Sequence, residues 1–155
     1  MLKLNYFIIP LVAFAVAYFG GKVTSTGMDW YKTINLPAWT PAGSIIGMVW
    51  TVIFILTAIS AILVWNKGMD VRNFKLIILF FVINALLNFF WSYLFFGKHL
   101  IGADIFIAGL LEISVLVLIV LIWPISKLAS GLLFPYSAWV FFATYLNYLI
   151  WSLNK

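Results

Sequence analysis

Asn84 and Asn88 stand one helical turn apart inside an otherwise apolar run, and Trp91 and Ser92 continue the same helical face. An amide at hydrocarbon depth finds no partner in lipid, so both must face protein or a cavity. That leaves two readings: glue between helices, or a polar patch in a binding cavity, which the neighbouring indole of Trp91 favours. A second set repeats the pattern. Trp139, Ala143 and Asn147 fall at i, i+4 and i+8, with Leu146 alongside, and Ala143 leaves room for a ligand or for a neighbouring helix. Trp50, Phe54 and Thr57 share a third face.

Among charged groups, Glu112 stands mid-run with no basic residue at comparable depth. It reads either as a proton or cation relay or as a protonated carboxyl hydrogen-bonded between helices. Asp104 lies near the end of its run and reads as interfacial. His99, the only histidine, falls in a connection, which argues against an internal haem-iron ligand. There is no cysteine, no Ser-His-Asp set, no metal-ligand cluster and no glycine-rich phosphate loop. The residues point to binding rather than to conventional hydrolytic or metal catalysis.

The elements that must position these side chains are membrane spans. Only 8% of the 155 residues are charged and 66% are hydrophobic, against roughly 25% charged in a soluble domain. Such a chain lacks the polar residues to cover a water-facing surface. At ~20 residues per crossing, the apolar runs give an all-α integral membrane protein, one transmembrane domain over 1–155. It is a bundle of five transmembrane helices at about 4–21, 45–65, 76–96, 103–123 and 132–151. Pro135 sits in the first turn of the last helix, where proline is tolerated.

The 22–44 segment between helices 1 and 2 reads as a folded aromatic loop. It holds Trp30, Tyr31 and Trp39 among Pro37, Pro41 and Gly43, and the prolines bar a regular helix through it. A stiffened aromatic loop joined to a spanning helix reads as a lid over something apolar. Lys3 before the first run, with Ala13-Phe14-Ala15 and Ala15-Val16-Ala17 near its end, resembles a cleavable signal peptide. Against cleavage, Ala13, Ala17 and Gly21 recur at i+4, a small-residue stripe that admits another helix closely. Trp65, Trp123 and Trp151 fit the interfacial belt, whereas Trp50, Trp91 and Trp139 lie several residues inside their spans.

Later connections are short, so sequential helices are expected to be antiparallel neighbours. No internal repeat marks the duplicated build of many secondary transporters. Lys3, Lys67, Arg72, Lys75 and Lys127 on one side face Lys22, Lys32, Lys98 and Lys155 on the other, a balance that leaves orientation undetermined. The net charge of +5 is scattered through the connections, which suits lipid headgroups and not nucleic acid. The residues therefore describe a Trp- and Asn-lined cavity under an aromatic loop, suited to a flat, largely apolar ligand with a few hydrogen-bonding groups.

The same stretches resemble the translocator protein family, also called tryptophan-rich sensory proteins or peripheral-type benzodiazepine receptors. The matching pieces are Trp30-Tyr31, Pro37-Ala38-Trp39-Thr40-Pro41, Gly47-Met48-Val49-Trp50 and Leu63-Val64-Trp65. Leu87-Asn88 with Trp91 follows, then Phe95-Phe96-Gly97 and Pro135-Tyr136-Ser137-Ala138-Trp139. The last runs on through Phe142-Ala143-Thr144 and Leu146-Asn147-Tyr148 to Trp151. The resemblance covers about four-fifths of the chain.

It implies a bacterial, multi-pass cell-membrane protein, usually a homodimer, that binds porphyrins such as protoporphyrin IX under the first loop. Isoquinoline carboxamides and benzodiazepines are ligands of the same pocket in the family. Some members promote light-dependent breakdown of the bound porphyrin. No cofactor is required; protoporphyrin IX is ligand or substrate. Carried onto this chain, the implied pocket comprises Tyr31, Pro41, Trp50, Phe54, Asn84, Asn88, Trp91, Trp139, Phe142, Ala143 and Asn147, with Trp50 and Trp139 assigned to the photochemistry. The runner-up reading is a transporter of tetrapyrroles or other apolar molecules with Glu112 as coupling group; a third is a regulatory protein whose pocket reports metabolite levels. Three positions depart from the family. Ala42 replaces a proline of the lid, Phe54 replaces a tyrosine, and Ser152 stands where the animal cholesterol motif has arginine.

Overall fold

The computed structural model describes residues 4–68 and 70–155; Lys3, counted above toward orientation, lies outside them. Among the described residues there is no strand. The helices are α1 (Asn5–Tyr31), α2 (Gly43–Asn66), α3 (Phe74–Ser92), α4 (Ile101–Ile122), α5 (Lys127–Gly131) and α6 (Phe134–Leu153). A π-helical turn, Tyr93–Gly97, extends α3. Five stretches are long and apolar enough to cross a membrane, and the protein is a five-span bundle. Pro135 occupies the first turn of α6, where its missing N–H costs no helical bond.

Helix α1 does not stop at Gly21. It runs ten residues further, which shortens the connecting loop from the expected 22–44 to 32–42. Those ten residues are polar enough to read as loop, yet their hydroxyls turn back onto their own helix. Thr24 donates to the Gly20 carbonyl at 3.0 Å, Ser25 to Lys22 at 2.8 Å and Thr26 to Val23 at 2.8 Å. The extension packs where Gly27 meets Phe96: a Cβ on Gly27 would lie 2.4 Å from the Phe96 carbonyl oxygen. Lys22 is therefore a helix residue and not part of a connection.

Chain order and spatial order differ. Helix α1 packs against both α2 and α3, α3 against α4, α4 against α6, and α6 returns to α2. Helices α2 and α3 are not close backbone neighbours, contrary to the expectation for sequential spans; they meet through large side chains, Trp50 with Trp91 and Trp65 with Phe74. The solid core fills the end away from the 32–42 loop, where Val64, Ile77, Leu118, Ile122 and Leu133 meet. Short α5, capped by Ser126 accepting from the Ala129 N–H at 3.2 Å, closes that end. Ser60 donates to the Ala129 carbonyl at 2.7 Å and Ser130 to the Ile119 carbonyl at 2.8 Å. A smaller apolar cluster, Phe95, Leu146 and Ile150 with Trp30, Ile34 and Leu36 around it, lies under the loop. The interior between the two clusters is not filled.

Candidate functional site

The unfilled space is a cavity of about 440 Å³ between α1, α2, α3 and α6. Trp50 of α2 lines it, with ring centroids 5.3 Å from Trp91, 5.9 Å from Phe54 and 6.0 Å from Tyr136. Trp139 and Phe142 of α6 pair at 5.2 Å. Over them the loop lays Trp39, which lies 5.8 Å from Phe142 and stacks on Tyr145 at 6.3 Å. Just before the loop, in the last turn of α1, Trp30 stacks on His99 at 4.1 Å and meets Phe95 edge-on. His99 takes a left-handed backbone (φ 59°) to do so.

The amides come from two facing helices. Asn88 donates to the Tyr136 hydroxyl at 3.2 Å, and Tyr136 donates to Asn84 Oδ1 at 3.0 Å. Asn84 donates in turn to Ser114 at 2.9 Å, and Ser114 to the Leu111 carbonyl at 2.7 Å. Both amides thus bond across helices, and only Asn88 also faces the cavity. Asn84 is glue between α3, α4 and α6, while Asn88 lines the cavity. Asn147, on α6, also lines the cavity and donates to the Asp104 carboxylate behind it. Asp104 sits in the first turn of α4, near the span end as its sequence position suggests, and is fully buried there by protein. The Trp91 indole N–H is directed at the same carboxylate, whereas the buried indole N–H of Trp139 has no partner among the described residues.

Of the residues the sequence assigns to the pocket, Tyr31, Trp50, Phe54, Asn88, Trp91, Trp139, Phe142, Ala143 and Asn147 line this cavity. Pro41 and Asn84 do not; Pro41 belongs to the loop and Asn84 is spent on the network. The wall contributed by α1 was missed: Ala17, Gly20, Gly21, Thr24 and Met28. Its signal was the small-residue stripe, read as a helix-packing face. Gly21 has open space where a Cβ would go, so there the stripe holds the wall back and admits no helix.

Among the described residues no charged side chain lines the cavity, and none form a cluster able to hold a metal ion. Glu112 is turned away from it, accepting from Ser137 across the α4–α6 contact. The cavity thus offers flat indole faces, amide groups on two helices and the unpaired indole N–H of Trp139. Walls of this chemistry suit an apolar, planar molecule with a few polar atoms.

The model of the TspO/MBR family matches residues 8–152. Protein CrtK of Rhodobacter capsulatus is 34% identical over 99% of this chain and 95% of its own length. Tryptophan-rich protein TspO of Bacillus cereus is 32% identical over 99% of both chains. The human translocator protein is 29% identical over 94% of this chain and 90% of its own.

Proposed function

Because the chain belongs to the TspO/MBR family, we propose that it is a membrane receptor and sensor for protoporphyrin IX, bound in the cavity beneath the 32–42 loop. Membership itself carries a sensor, receptor or transporter role in the cell membrane; the ligand and the output are our reading. The observation that supports it is the convergence of Trp50, Trp91 and Trp139 on one cavity of about 440 Å³. That volume lies in the range of small-molecule sites, about 300–1,000 Å³. Indoles supply broad apolar faces and N–H donors in one side chain. With no cation in the wall, the carboxylates of a porphyrin stay at the mouth, since burying them unpaired is too costly. Isoquinoline carboxamides and benzodiazepines, flat and uncharged, suit the same walls.

Within this reading Trp50 and Trp139 are the electron donors for light-driven breakdown of the porphyrin. Each lends one electron to the photoexcited macrocycle and regains it as the ring is oxidised; dioxygen is the net oxidant and supplies the oxygen of the opened ring, so the tryptophans are not consumed. The working unit is a homodimer. A proton-coupled carrier is the second reading, resting on Glu112 at mid-membrane, but that carboxyl is tied to Ser137 and lines no part of the cavity.

The test is titration of the purified protein with protoporphyrin IX in the dark and then under light, with Trp50→Phe and Trp139→Phe alongside. Saturable tryptophan quenching followed by light-driven loss of the porphyrin band, slowed in both variants, is expected. Quenching without spectral loss would leave a binder or carrier; no saturable quenching would sink the porphyrin reading.

A further inference from the structure

Two amides in the cavity wall are tied at one end only. Turned about its last bond, an asparagine side chain shows a neighbour either its NH2 or its carbonyl oxygen. What it offers a ligand is therefore decided by whatever holds its other half. Asn147 lines the cavity, and its Nδ2 donates to the Asp104 carboxylate behind the wall. Asp104 is fully buried and does not itself line the cavity; it also faces the indole N–H of Trp91. A carboxylate has acceptors and no donor, so it holds an asparagine by the nitrogen. The Asn147 Oδ1 is left over. Among the described residues nothing donates to it, and it is not sealed off as the Trp139 indole N–H is. It opens onto the cavity.

Asn88, on the facing helix α3, is turned the same way by a longer route. Ser114 has one proton and gives it to the Leu111 carbonyl at 2.7 Å, so toward Asn84 it can only accept, at 2.9 Å. Asn84 is thereby left with its oxygen toward Tyr136, which donates to it at 3.0 Å. Tyr136 has then spent its own proton and accepts from Asn88 Nδ2 at 3.2 Å. Here too the carbonyl oxygen is the half left without a donor and not sealed off.

The polar part of the wall is thus set as acceptor on both helices. A ligand N–H meeting such an oxygen gains a hydrogen bond. A ligand oxygen in the same place sets two acceptors against each other and leaves the amide carbonyl dehydrated without a partner. A site built for a donor rejects the isostere that lacks it.

We propose that Asp104 is a positioning residue that sets the hydrogen-bond polarity of the cavity. It holds Asn147 with the carbonyl inward, so the cavity selects flat apolar molecules that carry an N–H over isosteres that carry only acceptors. This selectivity rests on the cavity being the ligand site of the proposed function, whatever the natural ligand.

The probes are carbazole and dibenzofuran, flat tricycles of one shape that differ by N–H for O. Binding to the full chain in nanodiscs is measured by equilibrium dialysis, with empty nanodiscs subtracted to remove partition into lipid. Carbazole is expected to bind the parent about tenfold more tightly, the order of one well-made hydrogen bond. The amide that Asp104→Asn introduces has its own NH2 and lets Asn147 turn over, and Asn147→Leu removes the oxygen itself. In both variants the ratio should fall to within about twofold of unity, since the bond that set it is gone. A general loss of stability weakens both tricycles alike and leaves their ratio unmoved, which separates positioning from a merely structural role. Equal binding of the two by the parent, or a tenfold preference that survives both substitutions, would overturn the proposal and leave the cavity a binding site. Binding of neither above the lipid background would overturn the cavity reading with it.

Discussion

The backbone of Asn35 and the side chain of Asn154 bond to each other in both directions. The Asn35 N–H donates to Asn154 Oδ1 and Asn154 Nδ2 donates to the Asn35 carbonyl, each at 2.9 Å. Asn154 also donates to the Ile150 carbonyl at 2.7 Å, so the clasp is rooted in the last turn of α6. It pins the start of the loop to the helix that carries Trp139 and Asn147. Few other polar contacts hold this loop, so the clasp sets how often it lifts. Asn154→Ala removes both bonds at an exposed site, where two hydrogen bonds are worth about 1–2 kcal/mol together. The expected outcome is faster hydrogen exchange at Asn35 and a protoporphyrin dissociation rate raised by roughly five- to thirtyfold, with folding intact. An unchanged dissociation rate would mean that the ligand does not leave past this loop.

How much of this was legible beforehand depends on which physical signal each residue gives. Trp139, Ala143 and Asn147 announce themselves through helical spacing, and the structure places all three on the cavity wall. Hydropathy gave the five spans but misjudged the end of α1. Thr24, Ser25 and Thr26 lower the hydropathy of the segment without breaking the helix, since their hydroxyls are satisfied by carbonyls one turn back. Asp104 shows what position alone leaves out. It stands near a span end, in the first turn of α4, yet it is fully buried, because burial depends on the helix packed over it, here α6 through Asn147. The order of helices around the bundle was equally hidden, because short connections limit distance without requiring contact.

Two glycines of α1 should respond in opposite ways to added bulk. Gly27→Ala drives a methyl into the Phe96 backbone, and backbone cannot move aside as a side chain does. A loss of about 1–3 kcal/mol is expected, as for overpacking elsewhere, read as a lower melting temperature in detergent. Gly21→Leu meets nothing at its first carbon and extends into the cavity. It should leave the melting temperature near the parent value and weaken protoporphyrin binding at least tenfold, about 1.4 kcal/mol. Equal stability loss in both would place the close approach of α1 at Gly21 as well.

Tyr136→Phe tests whether the amide network is structural. The hydroxyl accepts from Asn88 and donates to Asn84, so its removal leaves the Asn84 oxygen buried without a donor. Breaking such a bond costs about 1–3 kcal/mol when a buried partner is orphaned. Thermal stability should fall by that amount, and Asn84→Leu in the Tyr136→Phe background should cost less than the sum of the two single changes. Additive losses would show that the chain from Asn88 to Ser114 does not act as a unit.

The indole N–H of Trp139 is buried and unpaired in the ligand-free protein, so it contributes no hydrogen bond to the fold and carries the desolvation cost of a donor. Trp139→Phe removes that donor while keeping an aromatic face against Phe142. The loss of indole volume and the relief of the unpaired donor oppose each other, and the apo melting temperature should shift by little. Binding should respond differently, because a ligand acceptor meeting that N–H would lose its bond. A weakening of about fivefold for protoporphyrin IX, close to 1 kcal/mol, is the expected result. It is measured by quenching of the remaining tryptophans in the dark, apart from any photochemistry. A large fall in apo stability with unchanged affinity would instead make Trp139 a packing residue, and the N–H groups in this wall would no longer count toward ligand recognition.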